Sequence, residues 1–171
     1  MHLMRNPFPH TYPGPRMTVL VIGIGNEARR DDGVGIAAVH EIAQRRLPGV
    51  EAMVTSGDPG ELLDAWAGVP TVIAVDAAVS PSATPGTVRR WTPADLPRDL
   101  GGVSSHALGL AGAYRLGEAL GQSPGRLIVL TVDVVDVGYG FGMTDAVAGA
   151  VPDVVAVILR EAGLHEAVRD V

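Results

Sequence analysis

The sequence predicts an α/β fold: a twisted, mostly parallel sheet covered on both faces by helices, with one antiparallel strand at its edge. Three observations carry that prediction. Strand-length runs rich in Val, Ile and Leu recur along the chain, stretches with helical spacing of apolar residues separate them, and the connecting segments are rich in Gly, Pro, Ser and Asp. A strand that is apolar from end to end is buried on both faces, and strands separated by helices are joined by crossovers, which make neighbours parallel. At 171 residues, 47% hydrophobic and 19% charged, the chain has the size and composition of one soluble domain, enough to bury roughly 70% of its unfolded surface.

Each element follows from local chemistry. Thr18 to Gly23 (TVLVIG) is a β-branched run closed by glycine, which predicts a buried strand. Gly33 to Arg46 places Val34, Ala37, Ala38 and Ile42 at helical spacing and ends in two arginines, which suit the negative end of a helix. Val50 to Thr55 is a second strand, and Pro59 to Ala67 a helix with proline early and Glu61 near its positive end. Thr71 to Asp76 (TVIAVD) is a third strand, closed by its aspartate. After a Ser/Pro loop, Gly86 to Trp91 alternates as an edge strand does. Ser105 to Leu120 carries an apolar stripe on a long helix, Arg126 to Asp133 is another strand, and Thr144 to Ala162 a last helix in which Pro152 predicts a kink or an interruption.

Composition removes several chemistries. There is no cysteine, hence no disulfide, thiolate metal site or cysteine nucleophile. All 13 basic residues are arginine, so there is no lysine for a Schiff base or a P-loop. A net charge of −6, with arginines paired at Arg29–Arg30, Arg45–Arg46 and Arg89–Arg90 rather than gathered on one face, argues against nucleic acid as a partner. The apolar runs fall well short of the ~20 residues that cross a membrane, and no signal-peptide pattern opens the chain, so a cytoplasmic protein is expected. Residues 1–16, rich in Pro and His, precede the first periodic segment. They read as a disordered extension, or as the product of a start upstream of a true one at Met17, and residues 17–171 as the single folded domain.

In a parallel sheet, ligands bind beyond the carboxyl ends of the strands. That rule selects Asn26 to Asp32, Ser56 to Asp58, Asp76, Ser104 to His106, and Asp133 with Asp136. Gly23-Ile24-Gly25-Asn26-Glu27-Ala28 satisfies a dinucleotide fingerprint, G-x-G-x-x-A, in the right strand-to-helix context. However, Asp31-Asp32 put carboxylates where a pyrophosphate needs the positive end of a helix. Asp31 reads as a helix cap; Asp32, a second acid, invites another role. Asp76 either bonds the loop amides that follow it or acts chemically, at the position where such sheets present functional groups. His106 opens a helix whose dipole favours the neutral imidazole, available as ligand or base; the alternative is a histidine bonded to the adjacent loop. His2, His10, His40 and His165 lack such a setting. Two carboxylates and an imidazole from three loops at one sheet edge would form an open site for a borderline ion such as nickel or zinc. No serine has a nucleophile-elbow context.

Taken together, Val21-Ile22-Gly23-Ile24-Gly25-Asn26 through Asp31-Asp32-Gly33-Val34-Gly35, then Asp76-Ala77 with Pro85-Gly86-Thr87 after it, then Ser105-His106-Ala107-Leu108-Gly109-Leu110, closely resemble the hydrogenase maturation proteases, in order from about residue 18 to 160. The resemblance implies a three-layer α/β/α sandwich. It also implies an endopeptidase, classed with the aspartic type, that trims a short C-terminal peptide from the large-subunit precursor of a nickel–iron hydrogenase. By motif, Asp32, Asp76 and His106 correspond to the family's nickel-contacting residues. Ser56-Gly57-Asp58-Pro59-Gly60 and Gly138 to Thr144 depart from the usual family loops, which bears on substrate specificity.

The expected mechanism leaves nickel with the precursor's thiolates and has Asp32, Asp76 and His106 reach it there, so that metal loading becomes the condition for cleavage. A free carboxylate, Asp32 or Asp76, would activate water, with Asp58 and Asp136 as second choices. The alternatives are a non-catalytic checkpoint that binds the loaded precursor and, behind it, a dinucleotide-binding domain. With 4% aromatic residues, no large permanent interface is expected and the protein reads as a monomer.

Overall fold

A computed structural model describes residues 17–96 and 105–164, with the side chains of 105–108 outside that description. Residues 1–16 and His165 fall outside it as well. Five strands form one sheet: β1 (Val19–Ile24), β2 (Val50–Thr55), β3 (Thr71–Val79), β4 (Val88–Trp91) and β5 (Arg126–Val134). Their order is β2-β1-β3-β5-β4. β1 pairs in parallel with β2 and β3, β3 in parallel with β5, and β4 antiparallel to β5. Among the described residues three α-helices lie between strands, α1 (Val34–Gln44), α2 (Pro59–Trp66) and α3 (Ser105–Leu120), and a fourth, α4 (Asp145–Glu161), follows β5.

Side chains alternate across the sheet, and the two faces have separate cores. Val19, Val21, Ile73, Val75, Ile128 and Leu130 pack under α1 and α4, through Val34, Val39, Ile42, Val154 and Ile158. Leu20, Ile22, Val72, Ala74, Leu127 and Val129 pack under α2 and α3, through Leu62, Trp66, Leu110 and Ala113. This is the α/β/α sandwich. All six residues of β1 are buried, as an interior strand requires. The β4 edge is held by Arg90, whose guanidinium donates to Glu161 at the end of α4 at 2.6 Å; Arg126 donates to the same carboxylate at 2.7 Å.

The structure corrects expectations about β3 and α4. β3 does not close at Asp76 but runs on to Val79, because β5 pairs with it out to Val79↔Val134 while β1 stops at Gly23↔Val75. Ahead of α1, Arg30–Gly33 forms one turn of 3-10 helix, with Arg30 at a φ of 48°. Pro152 does not interrupt α4, which runs from Asp145 to Glu161. Pro152 and Ala148, whose carbonyl has no amide partner at 152, both lie on the exposed side, where that carbonyl is open to solvent.

Candidate active site

The site is built where β1 ends beside the middle of β3, which runs on past it to Val79. After Ile24 the chain turns through Gly25, whose amide donates to Thr55 O, and through Asn26, whose side chain accepts from the Ala28 amide at 2.9 Å. Gly25 has a φ of 148°, and a Cβ there would lie 2.0 Å from the Asp32 carbonyl oxygen. Only glycine permits that approach. Gly35 is equally constrained, since a Cβ on it would lie 2.4 Å from Val75 O and 2.9 Å from Ile24 O. The first turn of α1 is thereby pressed onto the end of β1 and onto Val75 within β3, and the 3-10 turn carrying Asp32 packs against β3.

Asp32 and Asp76 are brought to this one edge, each side chain buried at 7% and 3% exposure. Asp76 accepts from the Ala77 amide at 2.8 Å. By strand alternation it follows Val72 and Ala74 onto the α2/α3 face. His106 lies in the first turn of α3, the helix that covers this face, and its side chain is outside the described residues. The next turn of α3 meets the loop after β2 closely: a Cβ on Gly109 would lie 2.9 Å from Gly57 O. Among the described residues no three His, Cys, Asp or Glu side chains gather to hold a metal.

The other acids have different work. Asp31 is fully buried and does not cap its own helix, since neither the 3-10 turn nor α1 has a side-chain cap. Its carboxylate instead accepts from Thr144 N at 2.7 Å and Thr144 Oγ1 at 3.0 Å, at the start of α4, and from Asp136 N at 3.0 Å and Val135 N at 3.3 Å. Burial alone would push this carboxyl up, but the hydrogen bonds from Thr144, Asp136 and Val135 together outweigh it and hold it below the usual carboxylate range. Asp58, a second-choice base from sequence, is the N-cap of α2, accepting from the Glu61 amide at 3.0 Å. Asp136, the other, accepts from the Gly138 amide and faces Arg30 at 3.5 Å. Asp133 lies inside β5, buried, and takes both bonds of a forked contact from Arg89 on β4. Sequence reasoning missed two pairings: Arg89 with Asp133, and Thr55 Oγ1 donating to Glu61 between β2 and α2. Their only sequence signal is opposite or complementary polarity on neighbouring elements.

The HycI family model, described as hydrogenase maturation protease, matches residues 36–161. The chain belongs to the hydrogenase maturation protease family. It is therefore a hydrolase of the endopeptidase kind. It is 29% identical over 160 residues to the hydrogenase 2 maturation protease of Escherichia coli (strain K12), covering 90% of this chain and 98% of that one. It is 29% identical over 147 residues to the hydrogenase expression/formation protein HupD of Rhodobacter capsulatus, covering 84% of this chain and 70% of that one. Its fold matches the hydrogenase maturating endopeptidase HybD from E. coli with a TM-score of 0.72 at 30% identity, covering 86% and 94% of the two chains. No helix among the described residues is long and apolar enough to cross a membrane.

Proposed function

We propose that this protein removes a C-terminal peptide from the nickel-loaded large-subunit precursor of a nickel–iron hydrogenase, in the cytoplasm and as a monomer. The observation that carries the proposal is the pair of buried carboxylates, Asp32 and Asp76, held at one sheet edge by glycines that admit no side chain. Building two acids into that edge incurs a desolvation cost that a purely structural turn has no need of.

The nickel is part of the substrate. Two carboxylates and an imidazole offer oxygen and nitrogen donors suited to a borderline divalent ion. A chain without thiolates does not compete for a metal already bound to sulfur. Asp32, Asp76 and His106 orient the loaded precursor, and one of the two carboxylates takes the proton of the attacking water, the aspartic-type role. Asp31, bound to the start of α4, is left out of this chemistry.

Purified protein mixed with nickel-loaded precursor tests the reading by intact-mass measurement. Loss of a C-terminal peptide supports it; an intact precursor in a stable complex supports a non-catalytic checkpoint instead.

A further inference from the structure

Beside Asp32 lies a cavity of about 450 Å³ whose walls include Gly25, Ile36, Val54 and Phe141, with Glu27 and His40 also lining it. Its floor is in direct reach of the candidate site, because Gly25 lies so close to Asp32 that a Cβ on it would be 3.6 Å from the Asp32 carboxyl carbon. The lining is mainly apolar, and two of its members are large hydrophobic side chains left in water, Val54 at 45% and Phe141 at 80% exposure.

Phe141 is not on a loose loop. Residues 136–144 are tied to the turn that carries Asp32: Arg30 N donates to Gly140 O, Gly140 N to Ala28 O, Asp31 N to Asp136 O, and Arg29 Nε to Val137 O, each at 2.9 to 3.1 Å. The Asp31 carboxylate closes the same set through Thr144. An exposed aromatic on a backbone held in this way meets a partner without the cost of ordering its loop, which favours it as an anchor. Tyr139, 89% exposed with Arg29 over its ring, extends the same rim.

We infer that this cavity is a specificity pocket, with Phe141 as its determining wall, for an apolar side chain of the precursor close to the scissile bond. The inference rests on the protease reading above. An extended chain advances about 3.3–3.6 Å per residue, so a side chain entering a cavity against Asp32 belongs to a residue within about three of the bond cut there. The outer edge of β2, where Val54 and Ser56 lie, is free for an extended segment among the described residues, β2 being the terminal strand of the sheet.

The test uses the full chain and nickel-loaded precursor, with aspartate placed singly at each of the four positions on either side of the scissile bond. Phe141→Ala, at an exposed position, is expected to raise KM about tenfold with kcat within about twofold, and Phe141→Leu to recover most of the loss. One precursor position is expected to tolerate aspartate poorly with the wild-type enzyme and to lose most of that penalty with Phe141→Ala. A KM within twofold of wild type for Phe141→Ala, or no position coupled to it, overturns the inference while cleavage itself stands. A concentration-dependent dimer that Phe141→Ala disrupts, with KM unchanged, makes the pocket a contact between copies and also overturns it. No cleavage by the wild type overturns the protease reading and this inference together.

Discussion

Asp31→Asn removes one charge from a site with no exposure to solvent, and the structure fixes what the amide would meet. One carboxylate oxygen faces Thr144 N and the other faces Asp136 N and Val135 N. An asparagine has one acceptor and one NH2 group, so whichever way it turns, a donor is aimed at a backbone donor. At least one buried N–H is left unsatisfied and a charge-assisted bond is lost, at about 1–3 kcal/mol for each, or about 3 kcal/mol in all. In a domain of this size about 3 kcal/mol lowers Tm by roughly 6–12 °C. The effect depends on pH. The folded carboxyl titrates below its unfolded value of ~3.9, so the stabilisation is fully present above that value and is lost as pH falls through the lower folded pKa. Calorimetry of both proteins between pH 7 and pH 3 is the assay. The gap is expected to be constant down to about pH 5 and to narrow below pH 4. A Tm within 2 °C of wild type at pH 7, or a gap that widens in acid, would refute the reasoning.

Three further predictions rest on single contacts. Gly35→Ala puts a methyl against two backbone carbonyl oxygens, at 2.4 and 2.9 Å, so α1 must shift; a loss of about 1–3 kcal/mol by urea unfolding is expected, with a drop in processing rate beyond that explained by the folded fraction. Trp66→Phe is expected to stay within about 1 kcal/mol of wild type, against about 3–5 kcal/mol for Trp66→Ala, because the buried indole N–H has no hydrogen-bond partner among the described residues and its removal offsets lost packing. Asp76→Asn and His106→Ala are each expected to abolish processing while circular dichroism and Tm report a folded domain; normal processing by either removes that residue from the site.

The layers of the fold were legible because their cause is local. A run such as Thr71 to Val75 is apolar on both faces wherever it stands, and the stripe of α1 is visible without its partner. The end of β3 was not legible. Ala77 and Ala78 have no strand preference of their own and a single Val79 beyond them is too short a signal, so their strand state comes from pairing with β5 more than fifty residues later. The same holds for the site. Asp32 stands out as an acid between a strand and a helix and Asp76 as an acid closing an apolar run, and family motifs point to His106. The bonds of Asp31 to Thr144 and Asp136, by contrast, cross more than a hundred residues. Asp58 and Asp136 look like site acids in sequence because capping and loop-bracing carboxylates occupy the same edge as functional ones.

The central claim is that the substrate's own nickel licenses cleavage through Asp32, Asp76 and His106. Its most direct test is the intact mass of one purified precursor, prepared with and without nickel and incubated with this protein under identical conditions. Release of a C-terminal peptide from the loaded precursor alone is expected. Equal processing of the nickel-free precursor would contradict it.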